Sequence, residues 1–366
     1  MAGPRLINRH RCRRLIEGAI ESLSLDLSGL VVLTEAASGN FSLTPMIAAL
    51  AGADRVIALG RDSRYGTFPE IGRAITDLSS AWNVGDRLIL IDDREDPSIG
   101  QADVVTNLGF IRPLSAEFLA RLKSTAALSL MWETWEFRAQ DLDLGACRRL
   151  GLPVLGTNED HPELRTLSYL GHVAIKLLFE LDVEVFRSRL ILLGTGKFAE
   201  AIRVVLLAAG ARSVDWILPS REMSRLDCWH SADAIVIAEH EITDCLLGST
   251  GWLDPEWLMA KNSALGVAHI CGSVDEASLM RSRLKYVPTP IAKPGFMSVT
   301  TDYVGPKPLI DLHAAGLKVG EQLARCRLRG LLASDAEAHV LRNCALAQGF
   351  ESAHAPEPRS APPEAD

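Results

Sequence analysis

A buried apolar run followed by a glycine-containing turn and a helical segment constrains this chain more than any other feature. Residues Leu190–Leu193 have no polar alternation, which is typical of a strand covered on both faces in a parallel sheet. Gly194 permits a sharp turn, Gly196 lets the backbone approach a ligand closely, and Ala199 lets the following helix pack against the strand. The pattern GxGxxA, with a helix start that attracts anions, predicts a dinucleotide-binding turn.

A second strand, predicted from Val214 to Leu218, supports this interpretation. In NAD-binding units an acidic residue at the end of that strand bonds the ribose 2′-hydroxyl, whereas this chain has Ser220 and Arg221, which suit a 2′-phosphate. NADP is therefore favoured over NAD, and NAD is not excluded. The alternative is that the glycines only form a tight turn and that Arg221 is solvated. The predicted cofactor-binding residues are Gly194, Thr195, Gly196, Lys197, Phe198, Ala199, Ser220 and Arg221.

Charge and cysteine content limit the partners of the chain. Its 366 residues carry 46 acidic and 38 basic side chains, a net charge of −8, so there is no overall basic field to attract nucleic acid or an anionic membrane. The seven cysteines have no CxxC spacing, which predicts free thiols in a reducing compartment. We therefore expect a cytoplasmic protein with a small-molecule substrate, no metal site and no membrane or nucleic-acid partner; a homodimer is compatible with the sequence.

Strands and helices alternate along most of the chain, which predicts an α/β protein with two successive parallel sheets. We expect two Rossmann- or flavodoxin-like domains with an interdomain cleft. Residues 1–165 would form a substrate-side domain, 166–308 the dinucleotide-binding Rossmann domain, 309–350 two helices that pack back on the first domain, and 351–366 a disordered tail. The predicted strands are Leu30–Thr34, Arg55–Gly60, Arg87–Ile91, Asp103–Thr106, Ala126–Met131, Pro153–Gly156, Leu190–Leu193, Val214–Leu218, Ala234–Ala238, Ala264–Ala268 and Lys285–Val287.

The predicted helices fill the intervals between these strands. They cover Phe41–Ala51, Pro69–Ala81, Ser115–Lys123, Ala139–Leu150, Thr166–Leu181, Leu309–Arg329 and Ser334–Ala347. The turn Thr34–Phe41 after the first strand admits two interpretations. A helix capped by Ser38 or Asn40 is favoured over a separate, methyltransferase-like ligand pocket, because such pockets usually carry more glycine.

This order of parts resembles the D-isomer-specific 2-hydroxyacid dehydrogenases and, in general plan, the S-adenosylhomocysteine hydrolases. The resemblance covers roughly residues 100–290 and implies an NAD(P)-dependent oxidoreductase of the Rossmann type. It rests on four segments that are similar to family segments in the same order: Asp141–Asn158, Ala232–Ile237, Asp254–Lys261 and Val274–Leu279.

Two departures fall on the positions that carry the chemistry of the family. The family has an arginine that binds the substrate carboxylate where this chain reads His269–Ser273. Its catalytic histidine follows a Thr-Pro pair, and here Thr289 and Pro290 are followed by Ile291. The resemblance therefore implies the fold and the cofactor, and the usual oxidation of a 2-hydroxy acid is not assumed.

Other residues at strand ends are candidates for the missing roles. His269, His161 and Glu133 are the predicted catalytic residues, because histidine titrates near neutrality and a carboxyl group can exchange protons. Glu136, Arg138 and Asn158 are the predicted substrate-binding residues on the loops after two strands. For each, a structural role is the alternative. Two hypotheses follow: an oxidoreductase with altered acid/base residues and an unidentified small polar substrate, or a non-catalytic nucleotide-binding or regulatory protein that kept the fold.

Overall fold

The computed structural model describes residues 8–350, so the predicted disordered tail 351–366 lies outside the described residues. Its strands are β1 (Val31–Glu35), β2 (Arg55–Leu59), β3 (Leu88–Ile91), β4 (Val104–Thr106), β5 (Ala127–Ser129), β6 (Val154–Thr157), β7 (Arg189–Leu193), β8 (Ser213–Ile217), β9 (Ala234–Ala238), β10 (Gly266–Cys271), β11 (Lys285–Val287) and β12 (Ala347–Gln348). Its helices are α1 (Arg9–Ser22), α2 (Leu43–Leu50), α3 (Phe68–Ala81), α4 (Ala116–Leu119), α5 (Leu144–Leu150), α6 (Ser168–Glu180), α7 (Gly196–Ala208), α8 (Pro255–Lys261), α9 (Glu276–Ser282), α10 (Lys307–Leu328) and α11 (Ala333–Asn343).

The described chain divides into two compact units: residues 8–164 with 306–350 form unit 1, and Arg165–Gly305 form unit 2. Unit 1 has a seven-stranded sheet in the order β12-β6-β5-β4-β1-β2-β3. Strands β1 to β6 are parallel, and β12 pairs antiparallel with β6 at the edge. The chain moves outward from β1 in both directions, so the strand order reverses between β1 and β4, where ligands bind in open α/β sheets.

Alternate side chains of these strands enter separate apolar cores on the two faces of the sheet. Val32 packs in the core formed with α1, α2, α3, α10 and α11, and Leu33 packs in the core on the opposite face with α4 and α5. Helix α10 lies close against the sheet, because a β-carbon at Gly320 would meet Val104 at 2.5 Å. The sheet is therefore covered on both faces, which explains the continuous apolar runs of its strands.

Unit 2 has a five-stranded sheet in the order β11-β10-β9-β7-β8, and every pair in it is parallel. The order reverses at β7, which pairs with β8 on one side and β9 on the other. Helices α6 and α7 pack closely, since a β-carbon at Gly171 would lie 2.3 Å from the side chain of Val205. The carboxyl ends of β7 and β9 thus form the reversal point of this sheet.

The α/β fold with two parallel sheets is confirmed, whereas several element bounds are corrected. The predicted helix Ala139–Leu150 begins only at Leu144, where the Asp143 side chain caps it by accepting the Ala146 N–H. The predicted strand Ala264–Ala268 runs instead from Gly266 to Cys271, and the predicted helix Ser334–Ala347 ends at Asn343, before β12. Ser38 does not cap the turn after β1 with its side chain.

All seven cysteines are free thiols, as the sequence predicts. Within residues 8–350, no helix has the length and apolar character needed to cross a bilayer. The same part of the chain contains no group of histidine, cysteine and carboxylate side chains arranged to hold a metal ion.

Candidate functional site

The turn between β7 and α7 has the geometry that its glycines predict. A β-carbon at Gly194 would lie 2.3 Å from the carbonyl oxygen of Ala238 at the end of β9 and 3.4 Å from the β-carbon of Ala199. Only glycine therefore allows β7, β9 and α7 to approach so closely. Gly196 has a φ of 60°, in the left-handed region that favours glycine. The strand, the turn and the start of the helix are thus arranged as in a dinucleotide-binding unit.

The loop after β9 lies against this turn and brings a buried carboxylate to it. Glu239 is 1% exposed, and its Oε1 accepts the Thr195 hydroxyl at 2.8 Å. The same oxygen accepts the backbone N–H groups of Glu241 at 2.6 Å and Ile242 at 3.0 Å. Its Oε2 is buried without a hydrogen-bond partner in residues 8–350. A buried carboxylate oxygen without a hydrogen bond destabilises the folded state, so Oε2 of Glu239 is available to accept a hydrogen bond from a bound ligand.

Two further side chains of this loop lie over the turn. The His240 ring stacks on Phe198 of α7, with 4.4 Å between ring centroids and 24° between planes. A β-carbon at Gly196 would lie 2.9 Å from Oε1 of Glu241 and 3.2 Å from the His240 ring. The carboxylate of Glu241 is therefore placed where the start of α7 attracts anions. Its side chain is 56% exposed, so it can move away from the turn.

Two features of the turn between β7 and α7 favour a bound dinucleotide, and one opposes it. The close approach at Gly194 and the left-handed Gly196 match what a pyrophosphate requires of its cradle. The position of Glu241 opposes binding of an anion, but its exposed side chain can rotate without disturbing the buried Glu239. The turn fits a dinucleotide once the Glu241 carboxylate has moved.

Ser220 and Arg221 are both exposed on the loop after β8, the strand next to β7. The Arg221 guanidinium lies 5.9 Å from the centroid of the Trp252 ring. Trp216, within β8, donates its indole N–H to the carbonyl oxygen of Gly194 at 2.8 Å. Trp216 thus ties the second strand to the first glycine, a contact that sequence reasoning missed.

His269 lies inside β10, because this strand extends beyond its predicted end. Its ring is buried, and Nε2 donates to the carbonyl oxygen of Gly272 at 3.0 Å, so Nδ1 accepts from the Ser298 hydroxyl at 2.8 Å. Burial lowers the pKa of His269 to about 4. His269 is therefore neutral near pH 7, and its hydrogen bonds connect β10 to the loop that contains Ser298.

The remaining predicted site residues belong to unit 1. Glu133 is 1% exposed and accepts hydrogen bonds from the Trp135 indole and, at 3.3 Å, from the Gln348 side chain. Asn158 Oδ1 accepts the Asp160 N–H at 3.2 Å, and His161 Nδ1 accepts the Glu163 N–H at 3.2 Å. These two polar loops are therefore ordered by local hydrogen bonds.

The other two predicted substrate-binding residues follow β5. Glu136 ends a short 3₁₀ turn, Thr134–Glu136. Arg138 accepts the backbone N–H groups of Asp141 and Leu142 with its carbonyl oxygen, at 3.0 Å and 3.3 Å. The structure thus places Glu133, Glu136 and Arg138 on one loop, and Asn158 and His161 on the loop after β6.

Glu35 and Arg112 in unit 1 are candidate functional residues that sequence reasoning missed. Glu35, the last residue of β1, is 4% exposed, and its Oε2 accepts the Phe110 N–H at 3.1 Å. Burial raises the pKa of Glu35 to about 7, although the Phe110 N–H, the Arg112 charge and the Gly109 N–H act against this shift. A strand-end carboxyl group that titrates near neutrality marks a candidate functional site. The only signal in the sequence was the position of Glu35 at the end of a strand.

No family model matches the chain, and no curated protein matches it either. Among solved structures it is similar to a dipicolinate synthase chain of Bacillus halodurans, with 11% identity, a TM-score of 0.48 and coverage of 79% of this chain and 96% of that chain. The corresponding dipicolinate synthase chain of Bacillus subtilis has 12% identity, a TM-score of 0.48 and coverage of 86% and 99%.

The NAD-dependent formate dehydrogenase of Staphylococcus aureus, solved with NAD, has 14% identity, a TM-score of 0.39 and coverage of 72% and 92%. Because the identities and TM-scores are low, the neighbours carry no argument about the substrate or reaction of this chain.

Proposed function

We propose that this chain is an NAD(P)-dependent oxidoreductase that acts on a small polar substrate with acid/base residues other than the usual arginine and histidine pair. The observation that carries the proposal is the turn at the reversal point of the unit 2 sheet, where Gly194 permits the contact with β9 and Gly196 is left-handed. Such a turn, followed directly by a helix start, is the arrangement that holds a pyrophosphate.

The residues that would hold the cofactor follow from this arrangement. The backbone from Gly194 to Phe198 would contact the pyrophosphate, and Ser220 and Arg221 would meet the adenosine ribose, with Arg221 favouring a 2′-phosphate. Glu239 Oε2, buried and unpaired within the described chain, would accept a hydrogen bond from a hydroxyl or amide of the cofactor. When bound, the nicotinamide group supplies or accepts a hydride.

We assign the proton-transfer role to His161 rather than to His269 or Glu133. His269 is neutral and locked by two hydrogen bonds, and Glu133 is buried and already accepts two. His161 accepts the Glu163 N–H at Nδ1, so its neutral ring carries the proton on Nε2, the atom that would exchange a proton with a substrate. Glu136, Arg138 and Asn158 would orient the polar groups of that substrate.

A second function, a non-catalytic nucleotide-binding or regulatory protein, is favoured by one observation. The carboxylate of Glu241 lies over Gly196 and competes with an incoming pyrophosphate. A protein that senses a dinucleotide without turning it over could retain such a competing group, whereas for an enzyme it weakens cofactor binding. The two functions predict the same ligand and differ in turnover.

The test begins with the melting temperature of the full chain in the presence of NADPH, NADH and their oxidised forms. We expect NADPH to raise it, because a ligand that binds only the folded state stabilises that state. The second step follows the absorbance of NADPH with a panel of small aldehydes, keto acids and imines. Oxidation with any member supports the oxidoreductase; a melting shift without oxidation supports the regulatory protein; no shift with any nucleotide contradicts both.

A further inference from the structure

Glu239, the first residue after β9, is a buried carboxylate without an ion-pair partner. It is 1% exposed, and in residues 8–350 no lysine, arginine or histidine side chain forms an ion pair with it. Its Oε1 accepts three hydrogen bonds, all from neutral donors. Buried charges in proteins are usually paired, because removing a charge from water is costly unless a partner compensates it. A positively charged group of a ligand would therefore compensate Glu239.

The backbone and side chain of Glu239 connect two neighbouring segments at the carboxyl edge of the unit 2 sheet. On one side, Oε1 accepts the hydroxyl of Thr195 in the turn after β7 at 2.8 Å. On the other side, the Glu239 N–H donates to the carbonyl oxygen of Cys271 at 3.1 Å. A β-carbon at Gly272 would lie 3.4 Å from the β-carbon of Glu239. The carboxylate thus lies between the glycine turn and the end of β10.

The strand order indicates which half of a bound dinucleotide would lie near Glu239. A dinucleotide at a reversal point extends across the crevice on both sides of the turn. Ser220 and Arg221, which would meet the adenosine ribose, follow β8 on one side of β7. Glu239 follows β9, which pairs with β7 on the other side. The nicotinamide half would therefore extend toward the carboxyl end of β9.

The charge of Glu239 acts beyond its own hydrogen bonds. Burial raises the pKa of the Cys271 thiol to about 12, and the negative charge of Glu239 acts in the same direction. Cys271 ends β10, so this charge influences groups at the carboxyl end of the neighbouring strand. Solvent and salt screen a buried charge poorly. Glu239 can therefore act on the charge of a ligand that does not touch it.

We propose that Glu239 makes this chain bind the oxidised, positively charged form of its nicotinamide cofactor more tightly than the reduced form. This inference deepens the proposed function and rests on it. The two forms differ by one positive charge on the nicotinamide ring and carry the same pyrophosphate. Glu239 attracts the additional charge. The exposed carboxylate of Glu241, over the start of α7, acts on the shared pyrophosphate and so affects both forms alike.

Calorimetric titration of NADP⁺ and NADPH into the full chain tests this preference through the ratio of the two dissociation constants. In the unchanged chain we expect NADP⁺ to bind more tightly. Glu239→Gln keeps the shape of the side chain and removes its charge, so it should lower the preference for NADP⁺ about five-fold or more. Glu241→Gln is the matched control, which should strengthen the binding of both forms and leave their ratio unchanged. NAD⁺ and NADH, which carry the same nicotinamide, should show the same changes.

Glu239→Asp separates the charge of this residue from its shape, because it keeps a carboxylate on a shorter side chain. It should keep most of the preference for NADP⁺ that Glu239→Gln loses. Tighter binding of NADPH than of NADP⁺ by the unchanged chain, an unchanged ratio in Glu239→Gln, or an equal loss in Glu239→Asp would overturn the inference and leave dinucleotide binding intact. Failure of all four nucleotides to bind the unchanged chain would instead contradict the proposed function, and this inference with it.

Discussion

Removing the negative charge of Glu241 should tighten dinucleotide binding. In the structure this carboxylate lies over Gly196, where a β-carbon would meet its oxygen at 2.9 Å, and it occupies the region that favours anions at the start of α7. Glu241→Gln keeps the shape of the side chain and removes its repulsion of a pyrophosphate. Binding of NADPH, followed by the change in its fluorescence, should then be stronger.

The expected size of the effect follows from Coulomb's law and the exposure of the side chain. Two unit charges about 4 Å apart interact by about 1 kcal/mol in water and about 4 kcal/mol at an effective dielectric constant of about 20. Because the Glu241 side chain is 56% exposed, the value in water applies, and the affinity should rise roughly five-fold. The gain should shrink as salt is added, since exposed charges are screened.

Glu256→Gln provides a matched loss of charge on an exposed residue of α8 in the same unit. It should leave NADPH affinity unchanged. Weaker NADPH binding by Glu241→Gln would show that this side chain holds the ligand instead of competing with it. An equal gain in both variants would trace the effect to net charge alone and refute the reasoning from the turn.

Three further predictions concern ionisation and cofactor choice. Because the pKa of Glu35 is raised from 4.5 to about 7, the folded state keeps this proton to a higher pH than the unfolded state does. The free energy of unfolding should therefore decrease as pH rises from about 4.5 to about 7. Urea titrations of Glu35→Gln should show this decrease smaller by about 3 kcal/mol. Burial lowers the pKa of His313 to about 3, so the free energy of unfolding should decrease as pH falls from about 6.5 toward 3. His313→Asn, whose side chain can still form a hydrogen bond with the Thr44 hydroxyl, should flatten that slope in acid unfolding curves. Arg221→Ala should weaken NADP binding roughly ten-fold and NAD binding much less in parallel titrations, and an unchanged ratio would mean that Arg221 is merely solvated.

The strands were predictable because both faces of each sheet are covered, so that runs such as Leu190–Leu193 and Ala234–Ala238 stand out from the polar turns between them. Element ends were less predictable, because local contacts determine them. The side chain of Asp143 starts α5 well inside the predicted helix, and β12 is an edge strand of only two residues that pairs with β6 through backbone groups.

The glycine turn was predictable because its residues are contiguous, whereas the groups around it come from distant parts of the chain. Glu239 accepts a hydrogen bond from the hydroxyl of Thr195, which lies 44 positions away in the sequence, and no local pattern indicates this contact. His269 was identified as a candidate by its place near a strand end, but burial keeps it neutral. Glu35 was passed over because its altered pKa depends on burial beside the loop after β4, which the sequence does not show.

The most direct test of dinucleotide binding at the turn after β7 is calorimetric titration of NADPH and NADH into the unchanged chain and two glycine variants. Gly196 and Gly151 both have left-handed backbones, with φ of 60° and 66°, so alanine strains each by about 1–2 kcal/mol. At Gly151 nothing lies within 4 Å of an added β-carbon, while at Gly196 it would enter the cradle. We expect the unchanged chain and Gly151→Ala to bind NADPH equally and Gly196→Ala to bind it at least about ten-fold more weakly. Equal affinity in all three proteins, or no binding of either nucleotide to the unchanged chain, would contradict dinucleotide binding at this turn.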